Sequence, residues 1–182
     1  MSATGDGTRG EAAGERIAAR QHEIDLDILD DTLSFYLRAL GIAVTRDWES
    51  RLGGLDAVRG TGRVTALFLI ANHPGIRPSV IAEVSMKDRS EMRRVLHGLE
   101  ANGLITRRIN STDTRARALF LTEAGERTVA ELRRRVRSSR AFFHDVPDDE
   151  YAQVMTLLRK IYWRVLTAHR SEDGDAACQT PA

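Results

Sequence analysis

What this 182-residue sequence lacks narrows its chemistry before any motif is sought. A single cysteine, Cys178, excludes an intrachain disulfide and a cysteine-based zinc site. It lies in a polar tail with no obvious neighbouring cation to depress its pKa, so it reads as an inert thiol. The histidines His22, His73, His97, His144 and His169 are scattered and show no HExxH or other ligand spacing. No GxSxG nucleophile and no phosphate-cradling glycine loop occurs, and the adjacent His144-Asp145 reads as a surface pair. These absences predict a protein that is not an enzyme and that holds no metal or cofactor. The longest wholly apolar run, Ala66 to Ala71, is far below the ~20 residues needed to span a bilayer. Met1 to Gly14 is polar and glycine-rich, without the apolar centre of a secretory signal. A soluble, cytoplasmic protein without membrane partners is expected.

The formal net charge of +1 conceals an uneven distribution. Met86 to Arg140 carries 14 Lys and Arg against 7 Asp and Glu, whereas the remainder is acidic at 13 against 19. Such separation points to one polyanion-facing region on an acidic body. Within that region lies the stretch that organises the chain. Asp88 is placed to cap a helix, with Glu91 closing a capping box and Asn102-Gly103 supplying a left-handed stop. At about 100° per residue, Met92, Val95, Leu96 and Leu99 share one face, and Arg89, Ser90, Arg93, Arg94 and His97 share the opposite one. One side is suited to burial and the other to a polyanion.

The flanking pattern completes a unit. Pro78 to Val84 reads as a short helix with Val80, Ile81 and Val84 inward and Pro78 in its first turn, where a missing N–H is harmless. Ser85-Met86-Lys87 is the turn into the arginine-bearing helix. Leu104 to Ile109 reads as a strand, Asn110 to Thr114 as a turn, and Ala116 to Leu121 as a returning strand. Ile76 is placed for a third short strand. The fold class expected is therefore mainly α with a small β-wing, a winged helix-turn-helix lobe. Its helix fits the major groove of B-DNA, about 12 Å wide. Arg89, Ser90, Arg93 and Arg94 are the expected base contacts, with His97 further along and closer to phosphate. Arg107 and Arg108 are expected phosphate contacts, and Arg115 or Arg117 at the basic tip suits the narrower groove or its backbone.

Long helices flank this lobe. Leu26, Leu29, Leu33, Tyr36, Leu37, Leu40, Val44 and Trp48 keep helical spacing from Ile24 onward, predicting one long amphipathic helix broken at Gly53-Gly54. The nearly all-apolar Val64 to Ala71 should be the buried centre of the lobe. After the wing, Thr122 caps a helix carrying Val129, Leu132 and Val136, then Phe142-Phe143. Pro147 to Glu150 starts a last helix with Tyr151, Val154, Leu158, Ile161 and Val165 as its stripe. The expected divisions are a disordered arm over 1–20, a dimerisation helix over 21–54 and the DNA-binding lobe over 55–121. C-terminal dimerisation helices over 122–170 and a disordered tail over 171–182 follow.

The order and spacing of several short pieces resemble the MarR family of bacterial transcriptional regulators. They are Ile76 to Ala82, Asp88-Arg89-Ser90, Leu99 to Ile105, Asp113-Thr114-Arg115 and Leu119 to Gly125. The resemblance is clear from about Gly62 to Gly125, weaker in the flanking helices and absent from the tails. It implies a homodimer to which the first long helix contributes, and a double-stranded operator of pseudo-palindromic sequence. It implies that Asp113 pairs within the wing, with Arg115 or Arg117. It also implies a pocket for a small phenolic or aromatic ligand, often an acid, whose binding releases a repressor from DNA. Tyr36, Trp48, Phe68 and His73 are the pocket residues this suggests, with Arg38 or Arg46 as carboxylate partner. The alternative is a winged-helix adaptor that binds protein without sequence-specific DNA recognition.

Overall fold

The computed structural model describes residues 24–60, 62–110 and 113–178, and their side chains apart from those of 109–117 and 169–178. The chain divides into two compact units, Met1–Thr45 and Arg46–Ala182. In the first, Asp27–Leu29 forms a short 3-10 turn and α1 (Leu33–Arg51) begins, continuing into the second unit. The helix expected from Ile24 thus starts nine residues late, as Leu33 opens it. The cause is local. The Asp25 carboxylate accepts the Asp27 N–H at 2.8 Å, Asp27 adopts φ +50°, and Thr32 donates its hydroxyl to the Ile28 carbonyl at 2.7 Å. Short polar side chains that satisfy nearby backbone groups compete with helix formation. Tyr36 then donates to Asp30, which raises the phenol pKa above its ordinary value.

In the second unit, α1 ends after Arg51, and a 3-10 turn at Asp56–Val58 leads to α2 (Arg63–Asn72). Ala66, Leu67 and Ile70 of α2 are fully covered, as the apolar run demands. α3 (Pro78–Val84) follows with proline in its first turn, then α4 (Arg89–Ala101). The ribbon β1 (Ile105–Asn110) and β2 (Asp113–Leu121) pairs antiparallel with Ile105 opposite Leu121 and Arg108 opposite Ala118. Ile76 bridges Leu119, supplying the third strand in rudimentary form. α5 (Glu123–Arg137), a 3-10 turn over Ser138–Phe143 and α6 (Asp148–Cys178) complete the order.

The core lies where α2, α3, α4, the ribbon and α5 meet: Leu67, Ile70, Ile81, Met92, Leu96, Leu99, Leu119 and Leu132 are all sealed from solvent. Each such side chain contributes about 1.5–3 kcal/mol by leaving water. Four expectations need correction here. α3 buries Ile81 and Ala82, while Val80 stays 36% exposed, because only two positions of so short a helix face the core. Val136 is outward, at the frayed end of α5 where the chain tightens into 3-10 geometry. α6 runs to Cys178, past Ser171 where a tail was expected, since a helix already nucleated gains a hydrogen bond per added residue and Ala176-Ala177 favour it. The strands also extend into the expected turn on both sides, to Asn110 and from Asp113. The arm at 1–20 lies outside the described residues, as do 111–112 at the ribbon's turn.

Candidate nucleic-acid interface

α4 is built from both ends. The Asp88 carboxylate accepts the Glu91 N–H at 2.6 Å, satisfying an orphan donor of the first turn. Gly103, at φ +67°, closes the other end with the Leu104 N–H on the Leu99 carbonyl at 3.0 Å. The expected capping box is only half formed, because the Glu91 carboxylate turns instead to Lys87. Lys87 is nearly buried, and its stem lies beside Gly62 at the start of α2, so this ion pair ties the turn before α4 to the lobe. Arg63 braces the far half. Its guanidinium passes across Gly98, where a Cβ would stand 2.9 Å from Nη2, and donates to the Ala57 carbonyl at 3.0 Å. A side chain at that position would require the guanidinium to shift.

Held in this way, α4 buries Met92, Val95, Leu96 and Leu99 and exposes Arg89, Ser90, Arg93, Arg94 and His97. Among the described residues, Arg89 and Arg93 form no ion pair, and Arg94 acts only at a distance on Asp88. Ser90 departs from the expectation of a freely offered hydroxyl: its Oγ donates to the Asp88 carboxylate at 2.6 Å. That bond first, and the Glu91 N–H second, hold the Asp88 carboxyl below its ordinary pKa. Arg107 likewise departs from a free phosphate contact, because Glu100 engages it at 2.9 Å. Arg108 is exposed and lies over the Phe120 ring, 4.8 Å from its centroid. The side chains of Asp113, Arg115 and Arg117 lie outside the described residues. The bracing groups Arg63 and Lys87 carry no sequence motif; only the glycines opposite them hint at close approach.

The residues expected to line a pocket fall in both units. Tyr36 and Arg38 are in the first unit, and both are exposed, as is Arg46. Trp48 and Phe68 are half-buried against the core. His73 lines an open cleft with Leu69, Pro74, Gly75, Ile76, Val80 and Val84. No group of carboxylates, histidines or cysteine suited to a metal occurs among the described residues, and no helix there is long and apolar enough to cross a membrane.

A short helix, a turn, a helix with an unpaired arginine face and a two-stranded ribbon define a winged helix-turn-helix protein, a DNA-binding architecture. Comparison with known proteins agrees. Residues 62–116 match the model of the MarR family. A Thauera aromatica protein described as a transcriptional regulatory protein for the hcr operon is 32% identical over 131 residues, spanning 71% of this chain and 78% of that relative. Among solved structures, the transcriptional repressor CouR bound to a 23-mer DNA duplex superposes with a TM-score of 0.69 at 21% identity, over 76% of this chain and 97% of that one. CouR from Rhodococcus jostii bound to p-coumaroyl-CoA gives 0.64 at 24% identity, over 74% and 94%. The chain belongs to the MarR family of transcriptional regulators and is not an enzyme.

Proposed function

We propose that the protein is a homodimeric repressor that binds a pseudo-palindromic operator and is released by a small aromatic ligand. The observation that carries this reading is the exposed Arg89, Arg93 and Arg94 face of α4, positioned by a fully buried opposite face. Arginine bonds guanine O6 and N7 in a bidentate fashion, and His97, Arg108, Arg115 and Arg117 add phosphate or minor-groove contacts. Two further surfaces support dimerisation. In the first unit, α1 leaves Leu33, Leu37 and Leu40 about half exposed. In the second, α6 leaves Val154, Leu157, Ile161 and Val165 similarly open. Apolar faces of this extent on a soluble chain mark association sites. Two recognition helices in successive major grooves require half-sites about one helical turn apart.

For the ligand, the cleft beside His73 is walled by apolar side chains, which suits an aromatic ring, with the imidazole available to a polar substituent. The p-coumaroyl-CoA held by the solved CouR is of that aromatic class. Release follows if the ligand favours a spacing of the two lobes that misfits the operator. Sedimentation of the purified chain, followed by selection of bound fragments from genomic DNA, tests the reading. A dimer and a recurrent pseudo-palindrome are expected, with affinity falling steeply as salt rises because several phosphates are neutralised. A monomer, or equal binding to every duplex, would overturn it.

A further inference from the structure

α6 presents two faces within the second unit. Tyr162, half-buried, turns towards the DNA-binding lobe, and Leu166 one turn further on is buried, while the adjacent Ile161 belongs to the open apolar face. The Tyr162 hydroxyl donates to the Val84 carbonyl at 2.6 Å, joining residues 78 positions apart. Val84 is the last residue of α3, so its carbonyl is one of those left without a partner inside the helix. Among the described residues no backbone amide donates to it. Burial first, and Glu83 second, push the phenol above its ordinary pKa, so the hydroxyl stays protonated and remains a donor. Beyond Val84 there are only Ser85, Met86 and Lys87 before Asp88 caps α4. The turn is short and internally bonded: the Lys87 N–H donates to the Ala82 carbonyl at 3.0 Å, and Met86 adopts φ +48°. A displacement at Val84 therefore passes to the first turn of α4, where Arg89 and Ser90 sit.

We propose that Tyr162 is a positioning residue that sets α4 relative to α6, and through it the separation of half-sites the protein accepts. This rests on the dimeric operator-binding reading above, in which the neighbouring face of α6 meets the second copy. The same rigid helix then carries the contact to the partner and the grip on the recognition turn, one residue apart. A ring without its hydroxyl would fill the same space but leave the Val84 carbonyl unheld, and the turn into α4 less firmly tied to α6.

The test uses the full chain and the selected operator, with the half-site separation kept, shortened or lengthened by a base pair, read by fluorescence anisotropy. The wild type is expected to lose about tenfold or more when the separation changes, within the cost of a mismatched site. Tyr162→Phe is expected to reduce that ratio to about threefold or less, since one hydrogen bond is worth up to about tenfold in an equilibrium. Dimer mass should be unchanged and melting temperature only slightly lowered by the loss of one hydrogen bond, whereas a merely structural role would lower melting without altering the spacing ratio. Hydrogen exchange at the Ser85, Met86 and Lys87 amides should quicken in the variant while the α2 amides stay protected. A variant with the wild-type spacing ratio and unaltered exchange at the turn overturns the proposal. A wild type indifferent to spacing removes the dimeric reading beneath it, and sedimentation distinguishes that failure by showing a monomer.

Discussion

α4 and α5 are both amphipathic and both rich in arginine, yet their cations stand in different circumstances. On α5, Glu123 engages Arg127, and Glu131 engages Arg134 and Arg135. Arg133 reaches Asn72 at 3.2 Å, and Arg135 also donates to the Arg51 and Gly53 carbonyls at 2.6 and 2.8 Å. On α4, the acids are spent elsewhere: Asp88 on its cap, Glu91 on Lys87 and Glu100 on Arg107. Arg133 and Arg135 tie α5 to other elements and Arg127 and Arg134 pair along it, whereas Arg89 and Arg93 of α4 are left for something outside the lobe. A guanidinium that shares its charge with a neighbouring carboxylate presents less net charge to phosphate than an unpaired one, so pairing matters as well as number.

The sharpest way to break this contrast is at the base of α5. A Cβ on Gly125 would lie 2.0 Å from the Leu104 carbonyl oxygen, a clash that only backbone movement relieves. Gly125→Ala should cost about 3 kcal/mol of stability, the upper range for overpacking, seen as a fall in the urea midpoint. Its remaining folded fraction should bind DNA normally; a stable variant would show that α5 is not locked to the wing. Next comes Arg93→Ala, expected to weaken operator binding by roughly 1–3 kcal/mol with melting unchanged. Unaltered affinity would remove Arg93 from the contacts.

His97→Glu would give α4 what α5 has, a carboxylate one turn beyond Arg93. Operator affinity should drop about tenfold or more while the helix gains slightly from the new i, i+4 pair, by about 0.3–0.5 kcal/mol. Affinity equal to wild type would mean that pairing does not decide function. In the opposite sense, Glu131→Gln frees Arg134 and Arg135; a small fall in melting temperature and no gain in operator affinity are expected. The smallest effect concerns pH. Arg135 first, by its hydrogen bond, holds the Glu131 carboxyl below its ordinary value. Its stabilising contribution is therefore present above about pH 4 and lost as acidity rises through the lowered folded pKa. The melting curve of Glu131→Gln should fall less steeply below about pH 4 than that of the wild type.

Sequence reading served α4 well because both of its faces and both of its ends are local properties. Met92, Val95, Leu96 and Leu99 repeat with the helical period, and Asp88 and Gly103 act within a few residues of themselves. Pairings that cross between elements left no such trace. Glu100 meets Arg107 only because the chain folds back after Gly103, and Tyr162 meets Val84 across 78 positions. Glu91 illustrates a local rule beaten by a neighbour: the motif favoured a capping box, but the sheltered Lys87 amine offers a charged partner. The late start of α1 has the reverse cause, as apolar spacing continued through Leu26 and Leu29 while Asp25 and Thr32 bonded the backbone beside them.

Leaving the guanidiniums of α4 uncommitted has an outcome for where the molecule spends its time. Exposed cations attract any duplex by displacing its counterions, irrespective of base order. A chromosome offers such backbone everywhere, so a copy that quits its operator passes to neighbouring DNA before it reaches open solvent. Regulation is then a matter of redistribution along the genome, and the quantity that sets it is the ratio between one site and all the others.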